Sequence, residues 1–477
     1  MLNLLQKTLG GAACILLFFL PLVSASPNLS WHDQQRIGQV VIFLFSVILF
    51  WVFRCRREDF YSRAFLLSIF FLSIVSCLHS SQVFWSFVEL SVFFCCYIVV
   101  CCVCEWRIRC GEIVDNAVWW LLTFVIVGLL SKFFFSYFFA VVAREKIIVW
   151  FLFDGFSWPR FLGQFQTLSL PLLAVPMLAN WRRRYWFFLL CSLWWFSTIS
   201  VGTRASWLGM ACAILLLPIF IKRGWLFSLY QGGALVAGLG FYVVFFKLIP
   251  GFCGLQVSGL AEERLNMSLS GREYLWEQAW KMTMEHPWLG AGPMQYAALA
   301  NLYGAHPHQA ILQWTSEWGS ISAVLVALLL LRLLWLLYLR STGWLEERGS
   351  TGAIKICLLA SFIASLAHAM FDGSLVMPYT QVWLSVLVGW AWGLVAKKDA
   401  ILPISRAALS ARRFFSMAFC SVLVFVIFRD VPGIIERNKS GVVSQTCWVE
   451  RPRFWSAGII KKLPESECAS SSGRRSD

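Results

Sequence analysis

Apolar residues dominate this chain in long runs, and the polar ones fall between them. Residues 38–53 (GQVVIFLFSVILFWVF), 117–142 and 321–338 are nearly free of charge, close to the roughly 20 residues that cross a bilayer as a helix. Along the whole chain the pattern predicts spans at about 8–24, 38–53, 64–79, 83–104, 117–142, 164–180, 185–200, 205–221, 225–249, 316–338, 354–371, 376–396 and 414–428. The first could instead be a signal peptide, with Lys7 ahead of an apolar stretch that ends in small residues (VSAS). We take it as a retained span, and the orientation of the later spans is the same in both cases. The thirteenth is short and bordered by Arg412 and Arg429. No internal repeat is visible. The expected class is an all-α polytopic membrane protein of about 12–13 transmembrane helices.

Composition agrees: 59% of residues are hydrophobic and only 14% charged, which excludes a soluble chain of two or three domains. The net charge of +15 could suggest nucleic acid, but the charges lie in short clusters between apolar runs. These are Arg54, Arg56 and Arg57; Arg107 and Arg109; Arg182, Arg183 and Arg184; Lys222 and Arg223; Lys397 and Lys398; Arg412 and Arg413. Lysine and arginine mark cytoplasmic loops. With the N-terminus inside, every cluster falls on the cytoplasmic side, so the charge reports topology and no nucleic-acid partner is expected. Among the segments that then face outward are 143–163, 200–204, 250–308 and 372–377. Residues 1–428 form the membrane domain, with one long outer loop at about 250–308. The polar tail 429–477 joins the outer side if the last span crosses.

Sixteen cysteines are no disulfide framework here, because most lie inside apolar runs, where cysteine acts as a small hydrophobe. Cys101, Cys102, Cys104 and Cys110 invite a zinc reading, but they lack a second paired CxxC. Cys447 and Cys468, alone in the tail, are expected to pair if the tail lies outside.

The outer segments collect the unusual chemistry. HPHQAILQWTSEWG (306–319) puts His306 and His308, two of only six histidines, at the mouth of the tenth span. SVGTRASW sets Arg204 in the first turn of the eighth span. In SGREYLWEQAWKMTMEHPWLGAGP, Ser270 and Glu273 have capping-box spacing and Arg272 opens a helix. Leu275, Trp276, Ala279, Trp280 and Thr283 are the expected packed face of that helix. FSWPRFLGQFQTLSLP brings Arg160 and Gln166 to the entrance of the sixth span. An arginine at a helix N-terminus opposes the macrodipole, and a bound anion between them removes the conflict. These arginines therefore suggest a phosphate-bearing substrate, against the plainer alternative that they meet lipid headgroups or cap neighbouring carbonyls. Gln309, Gln313, Glu317 and Ser320 trace one helical face, with Glu89 and Asp372 similarly costly in or near a membrane unless they line a cavity or glue helices together. A histidine here could be a base, a metal ligand or a satisfied structural group. No Asp-x-Asp occurs, and phosphate-handling magnesium sites use one or two carboxylates. Neither metal nor cofactor is expected, and a neutral imidazole as general base is the functional expectation.

At GTRASWL, GREYLWEQAWKMTMEHPWLGAGP, HPHQAILQWTSEWG and HAMFDGSLVMP (368–378) the sequence resembles the O-antigen ligase and polymerase superfamily, over roughly residues 150–395. Gln309 stands where the family usually has asparagine, and the thirteenth span and tail exceed its common twelve-span plan. The resemblance implies a fold similar to C-type glycosyltransferases. It implies a metal-independent, inverting transfer of a glycan from undecaprenyl pyrophosphate at the periplasmic face of the bacterial inner membrane. It implies that His308 is the essential base and that Arg204 and Arg272 hold the donor pyrophosphate, with Arg160 beside them. Gln166, His306, Gln309, Glu317 and Asp372 are expected to support these groups. Lipid A–core as acceptor would make an O-antigen ligase, the reading taken first. A lipid-linked glycan acceptor would make a polymerase, and a pilin hydroxyl a protein O-oligosaccharyltransferase. A polysaccharide transporter is the more distant alternative, set back by the missing repeat symmetry.

Overall fold

The computed structural model describes residues 2–52, 60–264, 272–299, 304–342, 349–396, 406–439, 448–449, 453–456 and 461–462. Arg54, Arg56, Arg57, Lys397 and Lys398 of the basic clusters, Ser270 of the capping box, and Cys447 and Cys468 lie outside these residues. The chain is an all-α polytopic membrane protein. Among the described residues nine helical segments are long and apolar enough to cross a membrane, and two shorter apolar helices accompany them.

The first helices are α1 (Leu2–Phe19), α2 (Trp31–Val52), α3 (Phe60–His79), α4 (Val83–Cys110) and α5 (Glu112–Val142). The sixth is broken into α6 (Pro159–Ser169) and α7 (Val175–Leu178), joined by a 3-10 turn at Pro171–Ala174. Pro171 and Pro176 account for the break, since each lacks an N–H and crowds the preceding turn. Then come α8 (Arg184–Val201), α9 (Arg204–Phe220), and α10 (Gly224–Val243), which passes through a π turn into α11 (Ile249–Cys253). The long loop contains α12 (Arg272–Glu285). The remaining helices are α13 (Ala310–Thr342), α14 (Ser350–Ala369), α15 (Pro378–Val395) and α16 (Arg406–Lys439). The last runs well past its expected end at 428 and carries the chain to the end of the bundle where Asn28 and Trp455 meet it.

Burial is reversed relative to a soluble fold. Phe71, Phe135, Val142, Ile219 and Phe428 stand exposed around the bundle, whereas Asp33, Arg36, Glu89, Glu317 and Asp372 are buried in it. That distribution suits hydrocarbon outside and polar contacts within.

The long loop is tied down at both ends. Residues Ile147–Ile148 after α5 pair in parallel with Val257–Ser258. At the other end the loop enters a break in α13, where Gly319 adopts φ 82° and ψ 158°. The peptide groups freed there bond to the loop: Ala291 N–H donates to Ser316 O at 2.9 Å, Gly292 N–H to Glu317 O at 3.0 Å, and Ser320 N–H to Pro287 O at 3.0 Å. A Cβ at position 319 would collide with the Trp288 carbonyl oxygen, so only glycine permits this approach. In α12 the packed face is Leu275, Ala279, Met282 and Thr283, while Trp280 is exposed. Met282 thus takes the place expected of Trp280, on the face that packs against Leu312 and Thr315 at the start of α13.

Candidate functional site

Three helices begin at one cavity. Arg160 follows the N1 proline of α6, Arg204 is the first residue of α9, and Arg272 is the first residue of α12. The α8–α9 turn is made by Gly202 in the left-handed region (φ 68°), which ends α8, and by extended Thr203, which starts α9. All three arginines line a cavity of about 320 Å³ with Trp150, Trp158, Thr203 and Asp372. Arg160 Nε and Thr203 Oγ1 are buried without a hydrogen bond inside the protein. Burial lowers the pKa of Arg272, the charges of Arg204 and Arg160 push the same way, and Asp372 opposes them. The cavity therefore combines three guanidinium groups with three helix N-termini, an arrangement that attracts an anion.

On the far side of Asp372 lies His308. Asp372 Oδ1 accepts from His308 Nδ1 at 3.2 Å and from the Gly373 N–H at 2.8 Å. Its Oδ2 accepts from Gln164 Nε2 at 3.0 Å and from His368 Nε2 at 3.3 Å. His368 Nδ1 lies 2.8 Å from the Thr167 hydroxyl, which donates to the Gly163 carbonyl at 2.9 Å. A neutral His308 that donates from Nδ1 keeps a lone pair on Nε2, the state a general base requires. His308 stands at φ 54°, a left-handed backbone that costs a non-glycine residue about 1–3 kcal/mol. Pro307 before it and Asp372 against its ring hold it there.

Charge and burial set the protonation states. Burial lowers the pKa of His308, and the hydrogen bond to Asp372 partly offsets this. Burial by itself would raise Asp372, but hydrogen bonds from His308 and His368 outweigh it and keep the carboxyl well below its usual range. His306 is pushed well below the ordinary histidine value by burial, then by His308, Arg160 and Arg453. Its ring lies 4.1 Å from that of His308, and a Cβ on Gly373 would collide with its Nε2. His306 is thus a wedge between His308 and a glycine that leaves room for it.

Ligand atoms of His306, His308 and Asp372 all lie within 4.8 Å of one another, so by distance they could hold a metal ion. The chemistry of the set argues otherwise. Both Asp372 oxygens already accept two hydrogen bonds each, and the arginine charges that depress the histidines also repel a cation. The group fits a hydrogen-bonded relay better than a coordination shell.

Sequence-expected residues divide accordingly. Arg160, Arg204, Arg272 and Asp372 share the cavity, and His308 adjoins it through Asp372. Gln166 does not reach it; its amide donates to Ser197 in the α6–α8 contact, and Gln164 is the amide that meets Asp372. Gln309 caps α13, accepting from the Leu312 N–H. Glu317 is buried further along α13 and accepts from the Tyr296 N–H at 2.9 Å. Sequence reasoning missed His368 and Arg453. His368 had a signal, lying four residues before Asp372 at a helix end. Arg453, whose guanidinium grips both oxygens of Glu317 at 2.7 and 2.8 Å, had none.

Fold and site define a multi-pass membrane protein in which an anion-attracting cavity adjoins a buried histidine–aspartate pair. Residues 186–327 match the family model Wzy_C, described as O-Antigen ligase, and this match supports the O-antigen ligase superfamily. It contains Arg204, Arg272, His306, His308, Gln309 and Glu317. The members are glycosyltransferase-like enzymes whose partners are in general lipid-linked glycans and lipid A–core. Comparison with curated proteins gives no match.

Proposed function

We propose that the protein is an O-antigen ligase of the bacterial inner membrane. It transfers a glycan from undecaprenyl pyrophosphate to lipid A–core at the periplasmic face, without a metal ion. The observation that carries this reading is the convergence of Arg160, Arg204 and Arg272, each at a helix N-terminus, on a cavity walled by the aspartate that holds His308. In the reaction an acceptor hydroxyl oxygen bonds to the anomeric carbon while the bond from that carbon to the pyrophosphate oxygen breaks, inverting the centre. The hydroxyl proton goes to His308 Nε2, and the electron pair of the broken bond goes to the pyrophosphate. The arginines and the positive N-terminal ends of the three helix dipoles stabilise that charge as it develops. Pyrophosphate neutralised in this way leaves without a general acid, whereas a sugar hydroxyl needs a base.

Deleting the gene and running lipopolysaccharide beside pilin on gels tests the proposal. Loss of the O-chain ladder with accumulation of lipid-linked polymer supports the ligase. A single-repeat O-chain would mean a polymerase, unmodified pilin a protein O-oligosaccharyltransferase, and polymer retained on the cytoplasmic side a transporter.

A further inference from the structure

Four residues of the C-terminal tail are built into the membrane bundle. Arg453, Phe454 and Trp455 are buried among the helices. The Arg453 guanidinium bonds both oxygens of Glu317, and at 3.0 Å Glu89, all three side chains being at most 3% exposed. Its backbone carbonyl accepts from His32 at 3.2 Å, and the Phe454 carbonyl accepts from Arg36 Nε at 3.2 Å. Trp455 Nε1 donates to Asp430 at 2.9 Å, and the Ser456 N–H and hydroxyl each donate to Asp33 at 2.7 Å. Without Arg453, Glu89 and Glu317 would be two carboxylates buried in the bundle without their cation. Breaking a buried ion pair from one side is strongly destabilising.

The same guanidinium touches the reaction machinery indirectly. Its Nη1 also donates to the Ala305 carbonyl at 3.3 Å, immediately before His306-Pro307-His308. Glu317, which it fixes, also accepts from the Tyr296 N–H, and the Tyr296 hydroxyl donates to the Leu275 carbonyl of α12. One arginine therefore ties down the segment that carries His308 and, through Glu317 and Tyr296, the helix that starts with Arg272.

We propose that Arg453 is a positioning residue of the active site, and that the tail residues Arg453–Ser456 form part of that site by locking the His306–His308 segment and α12 in register. This rests on the ligase reading only for its activity assay. The docking itself can be measured without any substrate.

The test uses purified full-length protein and two variants that leave neither Glu89 nor Glu317 as a carboxylate without a cation. Arg453→Lys retains the cation but cannot span Glu317, Glu89 and the Ala305 carbonyl together. Arg453→Met combined with Glu89→Gln and Glu317→Gln removes all three charges at once. Both should stay monodisperse with a thermal midpoint near that of wild type. Turnover per folded molecule should fall about tenfold, the equivalent of one charge-assisted hydrogen bond, with donor KM changed less than about threefold. A merely structural role would lower the yield of folded protein and leave kcat alone, so kcat within about twofold of wild type in either folded variant overturns the proposal. Docking is read separately in Ser30→Cys/Ser456→Cys, because the two hydroxyls lie 2.5 Å apart. After cleavage at a protease site introduced within 440–447, the tail should stay linked on non-reducing gels and separate on reducing ones. Absence of that cross-link overturns the docking and the proposal with it. A wild-type enzyme that forms the native contacts but has no ligase activity would instead count against the ligase reading alone.

Discussion

Asp372 separates His308 from the arginine cavity: one oxygen accepts the His308 Nδ1 proton at 3.2 Å, and the carboxyl forms part of the cavity wall. The base and the anion site are thus joined by a single side chain. Moving either one disturbs the other, and this coupling shapes the expected behaviour of the variants.

His308→Ala should abolish transfer while the protein still inserts and folds, because His308 is the imidazole whose Nδ1 is held by Asp372. His306→Ala should keep substantial activity, since His306 acts as a wedge and makes no hydrogen bond from Nε2. Glycan transfer by the two purified variants checks this, and normal ligation by the position-308 variant would rule out the base assignment.

The rate should also carry a characteristic pH dependence. Burial lowers the His308 pKa, so the imidazole is neutral at pH 7 and its activity is lost only as pH falls through a value below the ordinary 6.5. Asp372 raises that pKa, so Asp372→Asn should move the acid limb lower still. It should also slow turnover on the order of 10²-fold or more by releasing the tautomer. An acid limb above pH 6.5 in wild type, or one unmoved in the variant, would contradict the pairing.

Arg204→Lys and Arg272→Lys keep the charge but lose the planar fork that grips two phosphate oxygens. Each should lose about ten- to hundred-fold in rate, matching the roughly 1.5–3 kcal/mol of a charge-assisted hydrogen bond. The loss should persist at saturating donor, because negative charge builds on the departing pyrophosphate. Arg160→Lys should be milder, since Arg160 follows a proline that already occupies the N1 position. Turnover equal to wild type in both of the first two variants would remove these arginines from the transition state.

Transfer by purified protein should survive excess chelator with no divalent ion added. Both oxygens of Asp372 are committed to hydrogen bonds, and the surrounding guanidinium groups oppose a cation. Activity that disappears with chelator and returns with magnesium or manganese would instead assign His306, His308 and Asp372 to a metal.

Most of the bundle was legible because a bilayer imposes one strong pattern, long apolar runs bounded by basic clusters. The arginines were legible too, since a charge opposed to a helix dipole is visible in the sequence once the helix start is known. Gln164 and Gln166 were harder to tell apart. Two positions apart on a helix, they point to different faces, and which one meets Asp372 depends on the phase set by Pro159. The break at Gly319 was hidden, because its cause is a loop carbonyl contributed from a distant stretch of chain. Arg453 was least accessible: four residues in a polar tail have no periodicity, and their partners lie in α2, α4, α13 and α16.

The tail's contacts also constrain how the chain is made. Asp33, Arg36, Glu89 and Glu317 enter the membrane before the residues that complete their network, Arg453 to Ser456, have left the ribosome. For most of translation these helices carry polar groups whose native partners do not exist. Partial chains should therefore be held by the insertion machinery or by transient helix–helix pairs, and a ribosome that stalls before residue 453 releases a protein with nearly every span present and its charges unbalanced.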